Sequence, residues 1–264
     1  MEIFQYTFMN KALIVGLLLS IIIPFIGVVV VNKKISLVGD ALSHVSLSGI
    51  MIGLVAGVSP TIVSIFVCVI AVLFLEFIRN KFPSYQEIST AIIMSTGIGL
   101  ASLMSGFVKT AANFESYLFG SILAISNFEF ILIIILSIFV FLTFVYLYRE
   151  LMSICFDEVS ARISGINVNL INTIFMILIA ITISISARII GILIISSLMV
   201  IPVACAMRFK FGYFKTVVLS SVFGLFFTMA GLFISFYLGL KPGGTIVLIA
   251  VLTLVIILIS KNNK

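Results

Sequence analysis

A chain of 264 residues that is 62% hydrophobic and 9% charged, with mean hydropathy +1.40, is not an ordinary water-soluble domain, in which about 25% of residues carry charge. It reads as an integral membrane protein, and its formal net charge of +6 belongs to aqueous loops rather than to a DNA- or RNA-binding surface. Cys68, Cys155 and Cys205 are odd in number and show no paired spacing, which gives neither a disulfide framework nor a thiolate metal site. Cys68 and Cys205 read as small packing residues in helices.

In chain order, charge-free apolar runs mark the expected spans, since about 20 such residues cross the roughly 30 Å of hydrocarbon. The first is Ala12–Val31, longer than a signal-peptide core and without a small-x-small cleavage site after it, so it is expected to stay as a helix. The run Val45–Leu75 is broken at "GVSP", residues 57–60, and reads as two spans joined by a tight turn. Ile88–Val108, Phe130–Tyr148, Ile163–Ala187, Ile189–Met207, Thr216–Leu240 and Pro242–Ser260 follow. The expectation is one all-α, polytopic transmembrane domain over residues 1–264 with about nine helices. Pro202 in "SSLMVIPVACA" removes one helical hydrogen bond, frees the carbonyl of Leu198 and marks a hinge or a kink.

With nine spans the loops fall into two groups. One holds 11 of the 15 basic residues, among them Lys33, Lys34, Arg79, Arg149, Arg162, Arg208 and Lys215, against 4 in the other. The positive-inside rule then places the N-terminus outside and the C-terminus in the cytoplasm.

The most charged inner connection is "RELMSICFDEVSARISGI", Arg149 to Ile166. Phe156, Val159, Ile163 and Ile166 recur in it at helical spacing, Asp157 and Glu158 favour a helix N-terminus, and Gly165 offers a stop. The expectation is a short amphipathic helix suited to a groove on a soluble partner, with a plain interhelical connector as the alternative. The longest outer segment, Lys109 to Glu129, has an apolar centre "YLFGSIL" that reads as a re-entrant or interfacial helix, or as a docking surface.

Asp40, His44 and Ser48 stand at i, i+4 and i+8 and form one polar stripe inside an apolar run. Beside it Ala41, Val45, Gly49, Gly53 and Gly57 make a small-residue seam that lets a neighbouring backbone come close. An acid in hydrocarbon marks a functional position. Carboxylate plus imidazole on successive turns offers oxygen and nitrogen ligands to a divalent ion. Spacing alone leaves three readings open: metal ligation, an Asp–His hydrogen bond joining helices, and a proton relay. Glu76 lies three residues from Arg79 and reads as an ion pair, whereas Glu87 is a first-turn acid or, reaching inward, a weaker ligand candidate, as is Ser48. Gly97, Ala101 and Ser105 repeat the small-residue spacing and read as packing. P-loop, HExxH and GxSxG patterns are absent, so any ATP hydrolysis belongs to a separate subunit, and an intramembrane aspartyl protease lacks its second membrane aspartate.

Taken together, "SLVGDALSHVSLSGI", "YLFGSILAIS", "FDEVSARISGI", "GILIISSLMVIPVACA" and "GGTIVLIAVLTLVI" resemble, in order, motifs of the permease subunits of bacterial ABC importers for zinc, manganese and iron. The resemblance covers essentially the whole chain. It implies a multi-pass plasma-membrane translocation subunit, not itself an enzyme, with no resident cofactor and with zinc or manganese as transported cargo. It implies a homodimer surrounded by lipid, a cytoplasmic ABC ATPase and an extracellular or periplasmic metal-binding protein. By resemblance Asp40 and His44 line the translocation path, and Phe156, Asp157, Glu158, Ala161 and Gly165 couple to the ATPase within a segment of about 150–166. "LSHVSLSGI", "SPT" and "SYQEISTAIIMSTG" look closer to the zinc branch of low-GC Gram-positive bacteria than to the manganese branch; Ser48 stands where many relatives carry proline. The rival class is a proton-coupled secondary metal transporter, which would need no ATPase.

Overall fold

The computed structural model describes residues 7–82, 85–108, 117–118, 120 and 125–262. Eleven helices are named here: α1 (Thr7–Asn32), α2 (Leu37–Ala56), α3 (Pro60–Lys81), α4 (Gln86–Ser105), α5 (Asn127–Tyr146), α6 (Tyr148–Phe156), α7 (Glu158–Ile163), α8 (Val168–Ile190), α9 (Ile192–Met207), α10 (Tyr213–Leu238) and α11 (Pro242–Asn262). Eight are long and apolar enough to span a membrane, and α9 is a shorter apolar helix. No strand occurs among the described residues. Helices meet the requirement that backbone polar groups in hydrocarbon be satisfied within the segment, so the polytopic all-α architecture follows from composition.

The helix ends obey local chemistry. Gly57, at φ +67°, caps α2 in the left-handed region, Val58 N–H donates to the Gly53 carbonyl at 3.0 Å, and Pro60 opens α3 at a position where its missing N–H costs nothing. The turn expected at "GVSP" is therefore present. At α5, Ser126 and Glu129 form a capping box in which the Glu129 amide donates to Ser126 Oγ at 3.3 Å and the Ser126 amide donates to Glu129 Oε2 at 3.0 Å. The expected break after Ala187 falls at Gly191, φ +101°, between α8 and α9. Most of the outer segment from Lys109 lies outside the described residues; within it Tyr117 and Leu118 are helical.

Contacts gather into two compact units, one of Met1–Ile35, Ser121–Cys155 and Ser197–Lys264, the other of Ser36–Gly120 and Phe156–Ser196. In the first, Lys11 Nζ donates to Asn127 Oδ1 at 2.6 Å, which sets α1 and α5 parallel. Helix α10 runs antiparallel to α1: a Cβ added at Gly16 would meet Thr228 and Leu232, and one at Gly224 would lie 2.5 Å from the Ser20 carbonyl oxygen. Pro24, inside α1, deprives that Ser20 carbonyl of its helical donor, and the glycine lets α10 press against the freed group. Cys155 packs in this unit, where burial pushes its thiol up to about 11, so it is protonated at neutral pH.

The second unit is built on backbone contact. A Cβ at Gly49 would sit 2.5 Å from the Cα of Ser64, and one at Gly53 2.7 Å from the Cα of Pro60. The seam anticipated on α2 is therefore filled by α3, running antiparallel to it. Buried hydroxyls tie the helices further: Ser46 Oγ and Ser64 Oγ share a hydrogen bond of 2.9 Å, and Ser184 Oγ of α8 donates to the Ser64 carbonyl at 3.4 Å. Glu76 and Arg79 pair at 3.8 Å, and Arg79 donates to Thr90 Oγ1 at 3.1 Å, joining α3 to α4.

Gly49→Val is expected to lower the thermal midpoint of the detergent-solubilised protein through about 1–3 kcal/mol of overpacking strain. Gly99→Ala, where a Cβ meets nothing within 4 Å, is expected to leave the midpoint unchanged or raise it, because alanine favours helix.

Candidate functional site

The polar stripe lies in the second unit. Asp40 occupies the first turn of α2, where negative charge suits the helix dipole, and His44 follows one turn later, about 6 Å along the axis. Both side chains are half-buried, whereas Val38, Ala41, Leu42, Val45, Leu47 and Met51 around them are buried. Neither Asp40 nor His44 has a hydrogen-bond or ion-pair partner among the described residues. Among the described residues the pair is thus not engaged as helix-joining glue. A carboxylate and an imidazole stand open on one face of a membrane-spanning helix.

Ser48 is placed differently. It is fully buried and its hydroxyl donates to the Val45 carbonyl at 2.7 Å, so the stripe is open at Asp40 and His44 and closed one turn further on. Glu87 is exposed in the first turn of α4. Gly97 of α4 meets the backbone of His44 and Val45, so Glu87, ten residues earlier, lies about 15 Å below that level, while Asp40 lies about 6 Å below it. The structure does not bring Glu87 to the pair. Among the described residues no group of three or more His, Cys, Asp or Glu is gathered in one place; one chain offers two ligands.

What holds the pair in place was only partly foreseen. A Cβ at Gly97 would fall 2.7 Å from the Val45 nitrogen and 2.9 Å from the His44 carbonyl carbon, so α4 touches the α2 backbone at the histidine itself. The small-residue spacing had signalled close packing but not its partner. On another flank Cys68 Sγ faces the Leu42 carbonyl at 3.6 Å, and Ser43 Oγ donates to the Gly39 carbonyl at 2.8 Å. Ser46, Ser64 and Ser184, which bond between helices, recur in charge-free helices, a legible signal of interhelical hydrogen bonding.

The inner segment departs from the single amphipathic helix expected over Phe156–Ile166. Asp157 adopts an extended conformation and interrupts it: Phe156 ends α6, and α7 runs from Glu158 to Ile163. Asp157 accepts from the Val159 amide at 2.9 Å and from the Ser160 hydroxyl, a side-chain cap. Those contacts, the Ser160 hydroxyl first, hold its carboxyl below the usual carboxylate range. Gly165, φ +86°, terminates the turn, with the Ile166 amide donating to the Ala161 carbonyl at 3.1 Å. Ala161 is buried, Glu158 pairs with Arg162 at 2.9 Å, and Arg162 also donates to Asn169 Oδ1 of α8 at 3.0 Å. Facing outward, Phe156, Val159 and Ile163 are 74%, 67% and 81% exposed. The apolar face exists, but two short helices carry it.

The spans, the half-buried Asp40 and His44 on α2 and the capped apolar segment between spans describe a polytopic membrane protein. The chain belongs to the ABC 3 transport family, whose match covers residues 5–261. It is 36% identical over 256 residues to a probable metal transport system membrane protein of Treponema pallidum, with 96% of each chain covered. It is 30% identical to a high-affinity zinc uptake membrane protein of Haemophilus influenzae, over 98% of this chain and 100% of that one, and 28% identical to a manganese transport membrane protein of Listeria monocytogenes, over 93% and 88%. The solved PsaBC complex of Streptococcus pneumoniae contains a chain that superposes with a TM-score of 0.86 at 25% identity, covering 96% of this chain and 91% of that one. The protein is a metal ABC transporter permease of the plasma membrane.

The lowered Asp157 carboxyl fixes the sign of a pH effect. Its capping contribution is present above the unfolded carboxylate value of about 3.9 and is lost as pH falls through the depressed folded value. Hydrogen-exchange protection of the α7 amides, corrected for intrinsic rates, is expected to stay flat from pH 8 to pH 5 and to fall at every pH in Asp157→Ala.

Proposed function

We propose that the chain is the permease of an ATP-driven importer of divalent metal ions, with zinc as its cargo. The observation that carries this is the open Asp40/His44 pair: two good metal ligands, one turn apart, half-buried in a membrane-spanning helix and without a partner among the described residues. Charged or ligating groups at membrane depth face a polar path or a protein partner rather than lipid. A second copy of the chain would double the set to two carboxylates and two imidazoles. Four such ligands suit tetrahedral zinc, and manganese takes the same oxygens and nitrogens less selectively. Two ligands per chain make a weak site, as transport requires, because a tightly held ion would not leave. Ser48, with its hydroxyl turned to Val45, is assigned a packing role, and Glu87 a role at the helix end.

On the side that collects the basic loops, taken as cytoplasmic, the exposed face of Phe156, Val159 and Ile163 is assigned as the dock for the ATPase. Asp157, Glu158, Ala161 and Gly165 shape it by capping, pairing, anchoring and ending α7. Apolar anchors rimmed by charge suit a groove on a soluble subunit. On the other side an extracellular metal-binding protein delivers the ion. Relatives named for zinc and for manganese transport support the substrate class; the zinc assignment rests on the donor set and on the motif resemblance.

Asp40→Ala and His44→Ala are each expected to cut cellular metal accumulation at least about tenfold, as a loss of roughly 1.4 kcal/mol or more in ligand binding would, at unchanged protein level. Normal uptake in both variants would remove the site assignment. Whole-cell metal analysis of a deletion strain under limiting zinc and under limiting manganese decides the cargo: zinc falls if the assignment holds, manganese if it does not. Ile163→Asp is expected to abolish copurification of an ATP-binding subunit; a wild-type permease that transports with none bound would instead be a secondary carrier.

A further inference from the structure

Phe25 of α1, Phe141 and Phe144 of α5, Tyr148 of α6, and Phe214 and Val218 of α10 wall a groove of about 460 Å³ in the first unit, within the about 300–1,000 Å³ of small-molecule sites. Its walls are rings in mutual contact: Phe25 lies 6.1 Å from Phe141 and 5.1 Å from Phe144, Phe144 lies 6.2 Å from Tyr148, and Tyr148 lies 6.4 Å from Phe214. Interlocked aromatic rings do not collapse into an adjacent void, and an unfilled void forfeits dispersion contacts along its whole lining. Phe141, Val145, Phe214 and Val218 are exposed on spans whose solvent is lipid, so the filler is apolar. Phe214 and Val218 also border a second groove of about 270 Å³ that contains Lys215.

The ends of this unit are unlike in charge. Helices α1, α5 and α11 finish, and α10 starts, at the end that carries Lys33, Lys34, Arg149, Arg208, Lys210, Lys215 and Lys261, with Glu150 the one acid among the described residues there. The opposite end carries Lys11, Lys241 and Glu129 among the described residues. The groove lies within about 10 Å of the basic end, since Phe25 is seven residues before Asn32 and Phe214 is the second residue of α10. Lys215 Nζ stands 5.7 Å from the Phe211 ring centroid, which positions the ammonium beside the second groove.

We propose that this aromatic groove binds one acyl chain of an anionic phospholipid from the leaflet at the basic end, with the lipid phosphate held by Lys215. The chain fills the space between α1, α5 and α10, and the phosphate neutralises part of a seven-to-one basic excess among the described residues. An annular lipid would show no headgroup preference. A basic residue near the surface is worth about a fivefold preference for an anionic headgroup.

The chain has no tryptophan, so Phe214→Trp supplies a single reporter in the groove wall. The full-length protein is reconstituted in phosphatidylcholine vesicles containing either dibromo-acyl phosphatidylglycerol or dibromo-acyl phosphatidylcholine at equal fractions. Quenching is expected to show about a fivefold or greater preference for the phosphatidylglycerol probe, abolished by Lys215→Gln. Phe226→Trp, exposed on the same helix but away from the basic end, is expected to show none. Val218→Trp provides a second reporter should the first not fold. Equal quenching by both lipids at Phe214→Trp and Val218→Trp makes the groove ordinary annulus and overturns the proposal; quenching by neither means that protein, such as a second copy, covers it, and overturns it equally.

Discussion

An acid and an imidazole carried through hydrocarbon must be held rigidly without being consumed by the groups that hold them. Helix α2 meets this condition by packing through its backbone. Between helices in a bilayer the hydrophobic effect gives no drive, since lipid tails are as apolar as leucine, and association rests on close approach. Gly49 and Gly53 bring the α3 backbone against one flank, and Gly97 of α4 touches the backbone at His44 and Val45. Two flanks are thus closed by contacts that need no side chain, and the face bearing Asp40 and His44 is left free. Polar glue at those positions would fix the helix equally well and destroy the site.

The buried hydroxyls do a different task. Ser46, Ser64 and Ser184 link α2, α3 and α8, yet interhelical hydrogen bonds in membranes average only about 0.6 kcal/mol. Each one alone is small beside the about 1–3 kcal/mol that one misplaced methyl group costs in a tight interior. They set register while the glycines set distance. Each serine that also bonds back to its own helix, as Ser184 does to the Ala180 carbonyl at 2.7 Å, satisfies its polarity even when the neighbour slides.

Much of the architecture was legible because spans, turns and caps are local chemistry. The turn at Gly57 to Pro60 and the seam on α2 follow from residue type and spacing, and the cost of charge in hydrocarbon singles out Asp40 and His44. Three features were not legible, for a common reason. That Ser48 turns back to Val45, that Glu87 lies a further 9 Å or so along the axis from Asp40, and that Gly97 rather than another small residue meets His44 all depend on which helices become neighbours and at what level. Periodicity specifies a face but not what lies opposite it. The inner segment failed differently: its apolar residues keep helical spacing across Asp157, but a side chain that caps the following turn competes with continuing the previous helix, and here capping wins.

That interruption has a mechanical use in the proposed transport cycle. The alternative is one continuous helix from Tyr148 to Ile163. Breaking it at Asp157 leaves α7 attached to α8, through the Arg162 guanidinium on Asn169 and the short link to the Asn167 cap, whose side chain accepts from the Leu170 amide at 3.3 Å. From Asn169 to Ser184 helix α8 runs about 22 Å, and Ser184 then meets Ser64, which meets Ser46 on the ligand-bearing helix. The knob a partner would grip and the helix that carries Asp40 and His44 therefore belong to one bonded piece of the chain. In the proposed cycle a displacement at Val159 and Ile163 would reach Asp40 and His44 through α8 and these hydroxyl contacts.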